Sequence, residues 1–239
     1  MQSDSEDLER VSSPIVVWTE LQVPIGLESD QKQWRGYFEP LLHAKGHHES
    51  AWARCRLNKD RVILGTWWFG GSPAYRAFES SPSAQLFRET LADDGIKFLT
   101  SYKTAIRGGW WFDCVSYFFM QIFWVYFKAP VTEALKDEVA KIGGIRPPAI
   151  LRPRENELLS PKPPVELWAL HTEYLHGEEV QSLLWPHFWR DEEAALFRHR
   201  KMWTGTGETI MEDFYRSLRD IGAVEVKEDF CQFTKLVPL

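Results

Sequence analysis

Apolar and polar positions alternate with two periods along this chain, and the switches between them mark the elements. Residues 14–23, PIVVWTELQV, are β-branched and apolar and predict a strand ended by Pro24 and Gly26. Residues 31–45 carry Trp34, Phe38, Leu41 and Leu42 on one face, which predicts a helix, with Pro40 expected to kink or split it. Residues 48–57 alternate, with Ser50, Trp52, Arg54 and Arg56 on one side. Asn58 to Asp60 then turn the chain into a second strand over 62–69. A helical region follows over 73–93, broken at Ser81-Pro82, with Tyr75, Phe78, Leu86, Phe87 and Leu91 as its apolar face. Residues 96–106 predict a fourth strand. The order is β-α-β-β-α-β.

After a glycine junction at 107–109, the pattern runs again with insertions. The aromatic run ending at Phe127 predicts a strand, and residues 131–142 an amphipathic helix closed by Gly143-Gly144. Residues 145–164 hold six prolines and predict a long loop or arm. Residues 165–175, VELWALHTEYL, predict a strand. The stretch 177–197 is ambiguous: Gly177-Glu-Glu can open a helix, which Pro186 interrupts. Residues 198–203 predict a short strand, 206–221 a helix and 223–237 a final strand. Trp68 followed by Gly70 and Trp203 followed by Gly205 each precede a helix, as if one strand–turn–helix were used twice.

Composition narrows the function. At 44% apolar, 239 residues suffice for a sizeable core. A net charge of −6 excludes the basic face that a nucleic-acid partner rewards. Val115 to Phe127 is too short to cross a bilayer as a helix, which needs about 20 residues. The acidic residues 1–13 lack the features of a signal peptide and are expected to be a disordered tail. Three scattered cysteines fit a reducing, cytoplasmic setting. Twelve Trp and 15 Phe mean either a large aromatic core or an aromatic-walled cavity for a hydrophobic ligand.

Trp68, Ser72, Tyr75, Phe78, Ser81-Pro82 and Phe87 together resemble a segment of the dimeric α/β-barrel superfamily. Its members include antibiotic-biosynthesis monooxygenases, EthD-like proteins and stress-responsive A/B barrels. The resemblance implies an α+β chain of two ferredoxin-like β-α-β-β-α-β repeats, 14–107 and 108–239, the second with the insertion 145–164, forming a pseudo-dimeric α/β barrel. A homodimer is a further possibility. It also implies a ligand between sheet and helices, held by polar residues pointing in from the strands.

Period-two alternation nominates those residues. His171 and Glu173 share a strand face and suit proton handling; the alternative is a solvated face. Tyr102 can donate to a carbonyl or enolate, or simply pack. Trp18, Trp52, Trp68 and Phe119 are the expected wall residues. His43, His47 and His48 cluster without a third spaced ligand, so no metal is expected. Arg35 and Arg54 can meet a ligand carboxylate or stay solvated. Gly70-Gly71 and Gly108-Gly109 lead into no phosphate-binding pattern.

Three functions follow. One is a cofactor-free enzyme of natural-product metabolism that cyclises or isomerises a polycyclic, polyketide- or terpenoid-like molecule. Another, implied by the resemblance, is an oxygen- or haem-dependent monooxygenase or dehydratase of the same superfamily, with His171 or His199 as the axial ligand. The third is a non-enzymatic ligand-binding or stress-associated barrel protein.

Overall fold

A computed structural model describes residues 13–24, 26–27, 31–106, 110–145, 162–200 and 208–236. The chain divides into two compact units. One comprises residues up to Ser116, joined by residues from Phe233 on. The other is Tyr117–Gln232.

The first unit begins with β1 (Ile15–Gln22), α1 (Gln31–Leu42), β2 (His47–Arg54) and β3 (Arg61–Trp68). It continues with α2 (Gly71–Glu79), α3 (Pro82–Asp93), β4 (Lys97–Ala105) and the short α4 (Trp110–Cys114). Its antiparallel sheet has the order β4-β1-β3-β2. The break between α2 and α3 has a local cause. Ser81 is extended, its Oγ accepts from the Ala84 N–H at 3.2 Å, and Pro82 occupies the first helical turn where no donor is missed. Helix α1 runs through Pro40 and stops two residues later, so the proline removes a bond only from the last turn.

The second unit contains β5 (Phe119–Lys128), α5 (Glu133–Ile142), β6 (Leu167–Leu175) and β7 (Glu178–Trp189). Then come α6 (Glu192–Arg200), α7 (Ile210–Asp220) and β8 (Ala223–Cys231). Its sheet order, β8-β5-β7-β6, is the same as the first unit's. The last strand, β9 (Thr234–Leu236), pairs with β2 and extends the first sheet.

Four expectations change. Residues 178–189 are a strand, not a helix. His176 and Gly177 both have positive φ, 52° and 84°, and form the two-residue turn that closes a β6–β7 hairpin. Pro186 is tolerated because its carbonyl, and therefore its missing N–H, faces the side beyond the β6 ladder, where the carbonyl accepts from the Val165 N–H. Residues 192–200 are helical, although 198–203 had predicted a strand; residues 201–207, with Trp203 and Gly205, lie outside the described residues. The signal was Asp191, whose Oδ1 accepts from the Ala194 N–H at 2.8 Å, followed by Glu192 and Glu193 in the first turn. Residues 110–114 form α4 instead of starting β5. The final strand is split between the two units. The Pro-rich stretch lies outside the described residues over 146–161.

The strand that corresponds to β3 is therefore β7, and the tryptophan that corresponds to Trp68 is Trp189. Each ends its strand and pairs with the first residue of its neighbour, Ile15 and Phe119 respectively. Each indole N–H finds a side chain on its own sheet. Trp68 Nε1 donates to Thr66 Oγ1 at 2.8 Å, and Trp189 Nε1 donates to Gln121 Oε1 at 2.9 Å.

Candidate functional site

A cavity of about 110 Å³ lies between the first unit's sheet and its helices, opening to solvent. Thr19 of β1, Leu64 and Thr66 of β3, and Phe98 and Ser101 of β4 line its sheet side. Leu41, Tyr75, Phe78, Glu79, Phe87 and Arg88 line its helix side. Apolar rings and aliphatic chains make the walls. On the sheet, the Thr19 and Ser101 hydroxyls are hydrogen-bonded to each other at 3.1 Å, which leaves one of their two protons to donate to an oxygen-bearing group. Thr66 already accepts from Trp68.

The helix side is charged. Burial pushes the Tyr75 hydroxyl above its usual pKa, and so do the charge and hydrogen bond of Glu79. Tyr75 therefore keeps its proton at neutral pH and donates it to the Glu79 carboxylate. Lys103 Nζ lies 3.6 Å from Glu79 and 5.1 Å from the centre of the Tyr75 ring.

A bulge in β4 creates this lining. Thr100 pairs with Glu20, but Phe98 pairs with Leu21, so the register shifts around Leu99. Phe98 and Ser101, three residues apart, both join the cavity, and strict alternation cannot place them on one face. Tyr102 pairs with Trp18, and both are buried on the opposite face. Trp18 stacks on Trp111 at 5.8 Å.

The other nominated residues lie in several places. Trp68 backs the cavity, its ring 5.2 Å from that of Tyr75 and 5.3 Å from that of Phe78. Trp52 stacks on Trp34 at 4.7 Å and pairs in register with Leu64. Phe119 is buried in the second unit against Phe230. His171 is exposed on β6. Glu173 is half-buried, and burial raises its pKa, while Ser182 and Lys227 act against the rise. Neither lines the cavity. Sequence reasoning missed Thr19, Ser101, Glu79 and Arg88, because none stands out by type. The Tyr75–Glu79 spacing of four on a helix was the available signal.

Strand pairing locates the corresponding space in the second unit. With Ile15 matched to Phe119, Thr19 corresponds to Phe123, Leu64 to Trp185, Thr66 to His187 and Ser101 to Glu228. Three of the four are larger rings, and they pack against one another and against Phe214. Phe123 lies 5.1 Å from both His187 and Phe214, and Trp185 lies 5.6 Å from Phe214. Glu228 accepts from Gln121 Nε2 at 2.5 Å and from the Tyr215 hydroxyl.

His187 is fixed as the neutral Nδ1–H tautomer. Nδ1 donates to the Trp185 carbonyl oxygen and Nε2 accepts from the Ile145 N–H, both at 3.0 Å. Burial lowers its pKa to about 4, against the backbone bond to Trp185 and the charge of Glu228. The native state resists a proton that the unfolded chain takes up below its ordinary value. This contribution is complete above pH 6.5 and is lost as pH falls toward 4; the size is about 3 kcal/mol. Urea unfolding at pH 7, 5.5 and 4 is expected to show that fall, with a smaller one in His187→Leu. An equal fall in both would exclude His187 as the source.

No metal-binding group of three or more His, Cys, Asp or Glu occurs among the described residues. No helix among them is long and apolar enough to cross a membrane. The cavity does not fit haem. It is lined by no imidazole, thiolate or thioether, and its one phenol is bonded to Glu79. Of the imidazoles expected as axial ligands, His171 is in the other unit, and the His199 side chain lies outside the described residues.

No family model matches this sequence, and no curated protein matches it. Solved structures do resemble it. An anthrone oxidase-like protein is 12% identical over 95% of both chains, with a TM-score of 0.57. A protein provisionally named a monooxygenase, from Fusobacterium nucleatum, is 11% identical over 94% of both, with a TM-score of 0.51. Another so named, from Lactobacillus acidophilus NCFM, is 10% identical, covers 94% of this chain and 95% of its own, and has a TM-score of 0.50. At these identities the likeness is one of fold: the chain is similar to proteins of the dimeric α+β barrel, ferredoxin-like kind.

Proposed function

We propose that the protein is an oxygen-dependent oxidase acting on a hydroxylated single-ring aromatic held in the first unit's cavity. The observation that carries this is the lining itself: aromatic and aliphatic walls, a hydroxyl pair on the sheet, and a carboxylate with a neutral phenol beside it. A cavity of about 150 Å³ takes benzene, so about 110 Å³, open to solvent on one side, takes at most one ring with its substituents at the mouth and does not enclose a fused polycycle. The neighbours named as an anthrone oxidase-like protein and as monooxygenases favour oxidation with O2. Cyclisation and isomerisation find no support among them.

The chemistry balances without an outside reductant. A phenol and O2 give a quinone and water. The ring loses the O–H and one C–H hydrogen, one oxygen atom enters the ring, and the other leaves as water. In this scheme Thr19 and Ser101 hold the ring oxygen. Glu79 takes up the proton that leaves the substrate, and Tyr75, whose single O–H is donated to Glu79, holds that carboxylate in place. The two units are, on the same reading, tandem copies of one ferredoxin-like repeat, of which only the first is used for the substrate.

Oxygen uptake by the purified protein with hydroxylated single-ring aromatics tests this. Uptake in wild type, and a fall of about 100-fold or more in kcat for Glu79→Gln, is the expected result for a lost base. Stoichiometric binding of such rings with no uptake would leave a ligand-binding protein instead. A Soret band lost in His171→Ala would move the chemistry to the second unit.

A further inference from the structure

The cavity's charge is uneven. Glu79 and Arg88 are its two charged lining residues. Glu79 is engaged by Lys103 and by Tyr75. Arg88 has one hydrogen-bond partner among the described residues, the Glu79 carbonyl oxygen, reached by Nη2 at a long 3.4 Å. A guanidinium carries five N–H donors in a planar fork that fits a carboxylate, so most of this one remains available. Counting Lys103 and Arg88 against Glu79, this edge of the cavity has one surplus positive charge. That is notable in a chain of net charge −6.

We infer that the ligand of this cavity is an aromatic acid, whose ring lies among Leu64, Phe78, Phe87 and Phe98 and whose carboxylate is bound by Arg88. The inference rests on the cavity being the ligand site, and it narrows the substrate class from phenols to hydroxylated aromatic carboxylates. Arg88 sits on the exposed side of α3, so it adds a charge-assisted bond without burying an unpaired guanidinium when the cavity is empty. Arg88 is thus a specificity residue. It selects the acid over the equally sized neutral ring, since a carboxylate left in the cavity without a counter-charge would lose solvation.

The test is calorimetric titration of full-length protein with 3-hydroxybenzoate and with 3-hydroxybenzyl alcohol. The two share ring and hydroxyl and differ in charge. Wild type is expected to bind the acid at least tenfold more tightly, and that preference is expected to shrink as salt is raised. In Arg88→Gln the ratio is expected to fall within about twofold, and in Arg88→Lys to be partly kept. Equal binding of acid and alcohol by wild type would overturn the inference while leaving the cavity reading intact. So would a preference unchanged in Arg88→Gln. Binding of neither ring would overturn both.

Discussion

Thr19→Phe is expected to fold and to lose binding of any single-ring ligand by 100-fold or more. The substitution gives the first unit the residue that the second unit carries at the matching place, since Thr19 corresponds to Phe123 through the strand registers. A cavity of about 110 Å³ is emptied space of about one ring, so the new phenyl group enters it instead of forcing the sheet and helices apart. Inserting bulk into a filled core costs about 1–3 kcal/mol; here part of that is returned by contact with Phe78, Phe87 and Leu41. The Thr19–Ser101 hydroxyl contact is lost. Ser101 lies on β4 beside the cavity and is only part-buried, so it can turn to water. Titration with 3-hydroxybenzoate reads the binding and circular dichroism the fold. A folded Thr19→Phe protein that binds as wild type does would place the ligand outside this cavity.

Much of the fold was legible because its signals are local. Ser81-Pro82 stops one helix and starts the next, Thr132 and Gly143 bracket α5, and Thr209 with Glu212 forms a capping box at α7. The mistakes came where a local signal pointed one way and pairing another. Pro186 argued against a strand, yet its donorless nitrogen lies past the end of a ladder. The alignment of Trp68 with Trp203 rested on a glycine two residues later. The matching residue is Trp189, which is followed by Arg190 and Asp191, because an Asp cap replaces the glycine turn.

The candidate site was much less legible. A single bulge at Leu99 carries Phe98 and Ser101 to the cavity and leaves Tyr102 on the other face, and nothing in KFLTSYKTA announces it. The aromatic excess was informative but indirect. Trp18, Trp52 and Phe119 stack on other rings, and of the four expected wall residues Trp68 alone touches cavity-lining side chains by ring contact. The chemistry instead rests on ordinary residues, Thr19, Glu79, Arg88 and Ser101, whose importance comes from what surrounds them.

The largest loss of stability is expected for Phe123→Ala. Phe123 is fully buried, and its ring meets those of His187, Phe214 and Tyr215 at 5.1, 5.1 and 6.2 Å. Removing a buried phenyl costs about 3–5 kcal/mol, the transfer of the lost atoms plus the void they leave. The neighbours cannot readily close that void. His187 is tied at both nitrogens, Tyr215 is held by Glu228, and Trp185 and Phe214 already pack against one another. A space of this kind stays dry and accepts apolar guests. The variant is therefore expected to bind benzene or xenon in the second unit, with ligand restoring part of the lost stability. Phe123→Leu, which keeps most of the volume, is expected to cost less than half as much. Urea unfolding with and without benzene measures both effects. A loss under about 1 kcal/mol, with no gain on adding benzene, would mean that Phe123 does not fill the second unit's counterpart of the first unit's cavity.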